Sequence, residues 1–203
     1  MIYQTFINEE YEDFFNINEA MRGAIVIDIG AYIGDTAVFF GKKGANVYAY
    51  EPSKELYEIA KKNIETNNIN ANIFNVGVGN KNTNGKITKN ENDINDTTGL
   101  VIFDEFEPIK KILKDRFLFA EDIKLISLNE VLEQFKLVYL LKMDCEGCEF
   151  PSISSVKDEN LHKIKYIIME FHFFDPHIII SKLKINNFEV FATSRMLYAR
   201  NLS

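Results

Sequence analysis

Hydrophobic and polar positions alternate along the chain in blocks that predict strands followed by helices. The run at 24–30 is continuous and β-branched, a pattern typical of a strand buried on both faces of a parallel sheet. Shorter apolar-rich runs at 46–50, 72–79, 137–144 and 165–172 predict further strands. Strands that alternate with helices of about 10 to 15 residues imply parallel βαβ units with right-handed crossovers. The predicted fold class is therefore α/β, with a doubly wound sheet.

The polar segments between these runs contain helix signals. Asp35 and Thr36 supply N-cap chemistry for a helix after the first strand. Ser53 can cap a second helix, whose predicted apolar face is Leu56, Ile59, Ala60 and Ile64.

The two ends of the chain and one internal segment depart from this alternation. Residues 1–23 carry apolar positions at loosely helical spacing and predict an N-terminal helical segment. The Asn-rich stretch 80–100 predicts an exposed hairpin or a mobile loop. Runs at 188–192 and 196–200 predict a closing hairpin that adds antiparallel strands to the sheet. The length suits a single domain, 1–203.

Charge and the lack of targeting segments narrow the partners. The net charge of -7 and the pI near 5.1 give a field that repels duplex nucleic acid and anionic lipid. No uncharged apolar run reaches the roughly 20 residues of a membrane span, and the acidic N-terminus lacks a signal-peptide pattern. We therefore expect a cytoplasmic protein that binds neither nucleic acid nor membrane.

Cys145 and Cys148 are the two cysteines of the chain. They are too few and too close together for the disulfide framework of a secreted domain, and a reducing compartment fits them. The three histidines complete no zinc-finger spacing. Acids beside the pair disfavour a thioredoxin-like role, because they raise a thiol pKa. The sequence thus favours two small buried thiols and no metal site.

Acidic residues stand where several predicted strands end. Asp28, Glu51, Asp144, Glu146 and Glu170 lie at such ends. Because ligands of doubly wound sheets bind outside the carboxyl ends of the strands, these side chains converge at one rim. Burying several acids together is costly unless hydrogen-bond donors or a cation share the space, so the group indicates a site. Taken singly, each acid could instead cap the next helix or stay solvated.

The turn after the first strand does not suit a dinucleotide. Tyr32 occupies the middle glycine position of a G-x-G-x-x-G turn, where a side chain crowds a pyrophosphate, and Asp35 repels it. Glu51, 21 residues after Gly30, can accept both hydrogens of a ribose diol, while nearby acids favour a cation. S-adenosylmethionine has both the nucleoside and the positive charge.

Sequence blocks in the same order resemble the FkbM family of S-adenosylmethionine-dependent methyltransferases. They are VIDIGAYIGDTAVFF, VYAYEPS, NVGVGNKNTNGKI, LLKMDCEGCEF and IIMEFH, within residues 24–172. The resemblance implies a Rossmann-like, mostly parallel seven-stranded sheet with helices on both faces, in which one strand is antiparallel. It also implies that the cofactor lies over the first three strands and the acceptor over the later ones.

The resemblance also implies roles for individual residues. The cofactor-binding residues would be Asp28, Gly30, Ala31, Gly34, Asp35, Thr36, Glu51, Pro52, Gly77, Val78 and Asp144. Lys142, Asp144, Glu146 and Gly147 match the family's fourth-strand motif and would face the transferred methyl group. Candidate catalytic bases are Asp144, Glu146 and His172. His172 could instead be an ordinary strand-end imidazole.

The function that the resemblance implies is methyl transfer to a hydroxyl oxygen of a small-molecule or glycan acceptor. The first alternative is a protein that binds S-adenosylmethionine without catalysis and acts as a sensor or partner. The second alternative, a nicotinamide oxidoreductase, is disfavoured by Tyr32.

Overall fold

The computed structural model describes residues 21–90, 100–103, 117–172 and 175–203. Most of the predicted N-terminal helical segment and residues 91–99 of the 80–100 stretch lie outside these ranges. In the described part of the chain the strands are β1 (Ile25–Ile29), β2 (Asn46–Tyr50), β3 (Ala71–Phe74), β4 (Gly77–Gly79), β5 (Thr83–Asn90), β6 (Leu100–Phe103), β7 (Phe117–Ser127), β8 (Val138–Met143), β9 (Ile164–Glu170), β10 (Phe188–Ala192) and β11 (Met196–Asn201).

The main sheet has seven strands in the order β10-β11-β9-β8-β1-β2-β3. All neighbours from β9 through β3 pair in parallel, and β11 runs antiparallel to both β9 and β10. Strand order reverses at β1, which is the switch point where a doubly wound sheet opens a crevice for a ligand. The predicted fold class, including the closing hairpin, is confirmed.

A second sheet has four strands in the order β4-β7-β5-β6. The sequence predicted one strand at 72–79, and this was wrong: β3 belongs to the main sheet and β4 pairs with β7. The reason lies between them, where the Val76 amide donates to the Phe74 carbonyl and the Asn75 side chain donates to the Glu51 and Pro52 carbonyls. This turn takes the chain out of the main sheet. Strands β5 and β6, in the 80–100 stretch and just beyond it, pair antiparallel.

The helices of the described chain are α1 (Asp35–Lys42), α2 (Lys54–Asn67), α3 (Leu128–Glu133), α4 (Glu149–Ser155), α5 (Asp158–Leu161) and α6 (His177–Ile185). Ser53 caps α2 as predicted, accepting from the Leu56 amide. The predicted cap of α1 was wrong, because Asp35 is already its first residue and Gly34 precedes it in the left-handed conformation. Ile59 was also wrongly assigned to the buried face of α2, since residues four apart fill that face and Ile59 is exposed.

Two hydrophobic clusters cover the two faces of the main sheet. Side chains alternate along each strand, so Ile27 and Leu141 enter one cluster and Val26 and Leu140 the other. Helices α1 and α2 pack in the second cluster. Helices α3 to α6 pack in the first, together with apolar side chains of the second sheet. The second sheet therefore packs on the same hydrophobic core as the carboxyl ends of β8 and β9.

Among the described residues, no helix combines the length and the apolar character that crossing a membrane requires.

Candidate functional site

The carboxyl ends of β9, β8, β1 and β2 lie side by side at one edge of the main sheet. The predicted strand-end residues therefore share this edge. Those near β1 and β2 form one half, which we call the glycine-turn half. Those after β8 and β9 form the other half, which we call the acid–histidine half.

The glycine turn packs directly on the loop that follows β8. Gly30 has φ 78°, and a Cβ added to it would lie 1.8 Å from the Asp144 carbonyl oxygen. The amides of Gly30 and Ala31 both donate to the Tyr50 carbonyl, and the Asp144 amide donates to the Ile29 carbonyl. Only glycine meets both the conformation and the space at position 30. The two halves of the edge are therefore in contact through backbone atoms.

A buried ion pair lies beneath this turn. The Lys142 ammonium is 3.1 Å from an Asp28 carboxylate oxygen and donates to the Gly30 carbonyl at 3.0 Å. Side-chain exposure is 4% for the lysine and 0% for the aspartate. Burial raises the pKa of Asp28 to about 6, although Lys142 opposes the rise. Lys142 thus supports the turn through the Gly30 carbonyl, and the role beside the transferred methyl group that the family resemblance implies for it stays a prediction.

Glu51 is a buried carboxylate with one backbone donor on each oxygen. The Tyr32 amide donates to Oε2 at 2.9 Å, and the Ser53 amide donates to Oε1 at 2.8 Å. Burial raises the pKa of Glu51 to about 7, while these two amides and the Lys142 charge lower it in part. Each carboxylate oxygen can accept a second hydrogen bond, so this geometry fits the two adjacent hydroxyls of a ribose.

Tyr32 has a role in the turn that sequence reasoning missed. Its φ of 52° is a left-handed conformation that non-glycine residues seldom adopt, and this conformation accompanies the bond from its amide to Glu51. Gly34, with φ 80°, ends the turn against Ala60, and the buried Asp35 and Thr36 follow it at the start of α1. In the sequence, the sign of this role was a tyrosine at position 32, where a G-x-G-x-x-G turn has glycine.

The predicted adenine-lining residues lie on β4, beside Pro52. A Cβ added to Gly77 would be 2.5 Å from the Leu125 side chain and 3.4 Å from the Pro52 Cβ, so the segment packs on the core and borders the glycine-turn half. The Val78 side chain, however, belongs to the hydrophobic core and does not line the edge. Phe74, which sequence reasoning missed, stacks on Tyr50 and stays partly exposed at the end of β3.

Cys145 and Cys148 form a disulfide, with 5.5 Å between their Cα atoms. The prediction of two free thiols was therefore wrong. The reason is the loop between them, where Glu146 has φ 53° and Gly147 has φ 112°. These left-handed residues reverse the chain and bring the two cysteines together, which a spacing count alone does not reveal.

Glu149 organises the acid–histidine half and was not predicted as a site residue. It begins α4, is 1% exposed, and accepts from the Cys145 and Gly147 amides at 2.9 Å each. Its Oε1 is also 3.1 Å from Nδ1 of His172. The imidazole Nε2 lies 3.7 Å from carboxylate oxygens of both Glu146 and Glu170. The sequence signal that could have identified Glu149 is an acid two residues after Gly147, next to the predicted fourth-strand motif.

These contacts shift two pKa values. Burial lowers the pKa of His172, but the hydrogen bond and charge of Glu149, with the charges of Glu146 and Asp144, raise it to about 9. Burial raises the pKa of Glu146, and nearby acids add to the rise against the opposing effect of His172. At neutral pH the histidine is therefore a cation among carboxylates.

Three of these residues have the spacing of metal ligands. One atom each of Asp144, Glu149 and His172 lie within 4.8 Å of one another. In the described structure, however, Nδ1 of His172 is 3.1 Å from Oε1 of Glu149, and this oxygen also accepts from the Cys145 amide, so the two atoms hydrogen-bond with each other rather than stand open to a metal ion.

Comparison with known sequences identifies a family. The profile described as "Methyltransferase FkbM domain" matches residues 28–190, which confirms the resemblance inferred from the sequence blocks. A curated relative, "Methyltransferase 1" of Beauveria bassiana (strain ARSEF 2860), is 25% identical over 162 residues. That match covers 72% of this chain and 64% of the relative, so the chain spans less than two thirds of the relative's length.

Solved structures share the fold at low identity. Magnesium protoporphyrin IX methyltransferase (ChlM) from Synechocystis PCC 6803, solved with bound SAM, aligns with a TM-score of 0.56 and 10% identity over 95% of this chain and 77% of its own. The METTL16 methyltransferase domain aligns with a TM-score of 0.54 and 14% identity, covering 100% and 69%. WbdD aligns with a TM-score of 0.57 and 12% identity, covering 98% and 41%. These similarities concern the fold.

Removal of the buried ammonium tests the support beneath the turn. We expect Lys142→Met to lower the free energy of unfolding by about 3–5 kcal/mol, because it leaves the Asp28 charge buried without a partner. Asp28→Leu combined with Lys142→Met should recover most of this loss. Urea denaturation measures both, with Lys124→Met, an exposed lysine of β7, as the matched control. An equal loss in the control would contradict the assignment.

The disulfide is tested by thiol counting and by unfolding. We expect no reactive thiol in protein denatured without reductant and two after reduction. Replacing both cysteines by serine should lower the free energy of unfolding by about 2 kcal/mol, the chain-entropy effect of a very short closed loop. Two thiols in the oxidatively purified protein before reduction would rule out the bond.

Proposed function

Because the chain belongs to the FkbM methyltransferase family, we propose that it transfers a methyl group from S-adenosylmethionine to a hydroxyl oxygen of a small-molecule or glycan acceptor. The observation that carries the proposal is the backbone contact between Gly30 and Asp144, which joins the Glu51 turn to the acid–histidine half. A nucleoside held by the first half thus ends beside carboxylates in the second. Proximity of this kind is the main requirement of a displacement reaction.

The glycine-turn half supports binding of the cofactor. Glu51 would accept the ribose hydroxyls, while the turn from Gly30 to Gly34 and the start of α1 at Asp35 and Thr36 would hold the methionine portion. Ala31, Pro52, Gly77 and Asp144 complete the proposed cofactor-binding set, whereas Val78, whose side chain lies in the hydrophobic core, contributes at most its backbone. Phe74, which stacks on Tyr50 at the end of β3 and is partly exposed, adds an aromatic face suited to the adenine ring.

The acid–histidine half supports the proton transfer. When bound, S-adenosylmethionine supplies a sulfonium methyl carbon that an acceptor oxygen attacks as the carbon–sulfur electron pair leaves on sulfur. Glu146 is the proposed base, because its raised pKa brings it nearer to neutral and its strained backbone holds it at the edge. Asp144 flanks it on the cofactor side. His172 contributes as a hydrogen-bond donor, since its raised pKa leaves little neutral imidazole at pH 7.

The charge around this half bears on the acceptor. This half contains four carboxylates but only two basic groups to balance them. The carboxylates are those of Asp144, Glu146, Glu149 and Glu170, and the basic groups are the His172 imidazole and the Arg195 guanidinium, which pairs with Glu170. The excess of negative charge repels phosphorylated or carboxylated acceptors, whereas it does not repel neutral ones. We therefore propose an uncharged hydroxyl compound.

The experiment that tests this function is methyl transfer from labelled S-adenosylmethionine to panels of neutral sugars, phenols and alcohols, with amine and carbon acceptors included. We expect an O-methyl product and a fall in kcat of about 10²-fold or more in Glu146→Gln, the usual size of a lost general base. The dissociation constant of S-adenosylmethionine should stay within twofold. The matched control is Glu159→Gln, an exposed acid of α5.

Other products would change the conclusion. An N-methyl or C-methyl product would overturn the hydroxyl acceptor. Tight S-adenosylmethionine binding with no turnover on any acceptor would favour the non-catalytic binding protein instead.

Cofactor binding should depend on pH through Glu51. The ionised carboxylate accepts both ribose hydroxyls, and its pKa is about 7 in the ligand-free protein, so affinity should rise as pH rises through 7. We expect S-adenosylhomocysteine to bind roughly tenfold more tightly at pH 8 than at pH 6. Calorimetry on wild type, Glu51→Gln and the exposed control Glu58→Gln measures this. The same pH dependence in Glu51→Gln would assign it to another group, because the ligand's own titration is common to all three proteins.

A further inference from the structure

Glu149 connects two separate elements at the acid–histidine half. Its carboxylate closes the loop between β8 and α4 from inside, through the amides of Cys145 and Gly147. The same carboxylate contacts the imidazole of His172, just after β9. One buried group therefore fixes the relative positions of a loop and a strand end that are not adjacent in sequence.

The loop that Glu149 closes is the loop that carries the proposed base. Glu146 lies between the two amide donors and has φ 53°, a conformation that costs about 1 kcal/mol or more for a non-glycine residue. Paired charged hydrogen bonds of the kind that Glu149 accepts are stronger than neutral ones. They therefore offset the strain and hold the Glu146 side chain at the edge of the sheet.

The contact with His172 sets the direction of the imidazole. Because Nδ1 faces Glu149 at 3.1 Å, Nε2 lies on the other side of the ring, 3.7 Å from carboxylate oxygens of both Glu146 and Glu170. A carboxylate behind a histidine fixes the orientation and the proton of the ring, so that the other nitrogen presents a defined group to the site. Here the second nitrogen is presented to the carboxylate of the proposed base.

We propose that Glu149 is a positioning residue for methyl transfer, which holds Glu146 and His172 in the arrangement that accepts the proton of the acceptor hydroxyl. This inference rests on the proposed function for its catalytic consequence, but the arrangement itself can be tested without turnover. Glu149 itself would touch neither acceptor nor cofactor. It acts through the loop and the imidazole.

The charged neighbours of His172 agree with this role. Asp144, Glu146 and Glu149 face the imidazole from the loop and α4, and Glu170 faces it from β9, where Arg195 partly neutralises Glu170. Of these, Glu149 makes the hydrogen bond that contributes most to raising the pKa of His172 to about 9. His172 is then charged at neutral pH and stabilises the ionised form of Glu146, which must be unprotonated to act as a base.

The direct test is the titration of His172 by NMR. The chain has three histidines, and His172→Gln identifies the resonance. We expect a wild-type midpoint near 9, and in Glu149→Gln a midpoint displaced toward the ordinary histidine pKa of about 6.5. Glu149→Asp should lie between them, and the exposed control Glu159→Gln should match wild type.

The kinetic part of the test separates positioning from binding. With an accepted acceptor, Glu149→Gln should lower kcat at least tenfold, while the dissociation constant of S-adenosylhomocysteine changes less than twofold. Glu149→Asp should recover part of the rate. A folded Glu149→Gln that keeps both the wild-type His172 midpoint and a kcat within twofold of wild type would overturn the proposal.

Two other outcomes have defined meanings. If the wild type methylates no acceptor but His172 titrates near 9 and shifts in Glu149→Gln, the proposed function fails and the arrangement around Glu149 stands. If Glu149→Gln does not fold, the wild-type and Glu149→Asp titrations decide: a wild-type midpoint near 6.5, or no displacement in Glu149→Asp, would overturn the proposal.

Discussion

The site depends on one close contact at the switch point of the sheet, where Gly30 packs on the Asp144 carbonyl with no room for a side chain. The buried pair of Lys142 and Asp28 stabilises this contact from below, because its ammonium also binds the Gly30 carbonyl. Such a pair adds little net stability over an apolar substitute, since desolvation offsets the attraction of the charges. Its value is positional: it fixes the end of β1 against the end of β8.

The two halves of the edge are built on the same local device. In each, a buried glutamate accepts from a backbone amide of a residue in the left-handed conformation: Tyr32 for Glu51, and Gly147 for Glu149. A second backbone amide donates to each carboxylate, that of Ser53 to Glu51 and that of Cys145 to Glu149. The strained, non-glycine conformations of Tyr32 and Glu146 both lie at this edge, where these charged hydrogen bonds compensate for them. Glu51 directly follows β2, and Glu149 begins α4 after the loop from β8, so the sheet positions the first and this loop the second.

Charge distinguishes the halves. In the glycine-turn half, burial raises the pKa of Asp28 and Glu51, and the buried Lys142 ammonium opposes both shifts. In the acid–histidine half, carboxylates surround one imidazole and raise its pKa instead. The cationic, phosphate-free nucleoside of S-adenosylmethionine suits the first environment, and the uncharged hydroxyl compound that we propose as acceptor would meet the second. The proposed reaction needs these two ligands side by side.

Local periodicity and short motifs were enough to predict the α/β class, the closing hairpin, the family and the strand-end acids. Other features depend on contacts between residues far apart in the chain. The split of 72–79 between two sheets depends on side-chain bonds from Asn75 to the β2–α2 loop. The disulfide depends on two left-handed residues between the cysteines. The role of Glu149 depends on β9 lying beside β8, which brings His172 within 3.1 Å of a residue 23 positions away. Local patterns carry no information on such long-range distances, and the pKa values at this edge arise from those distances and from burial.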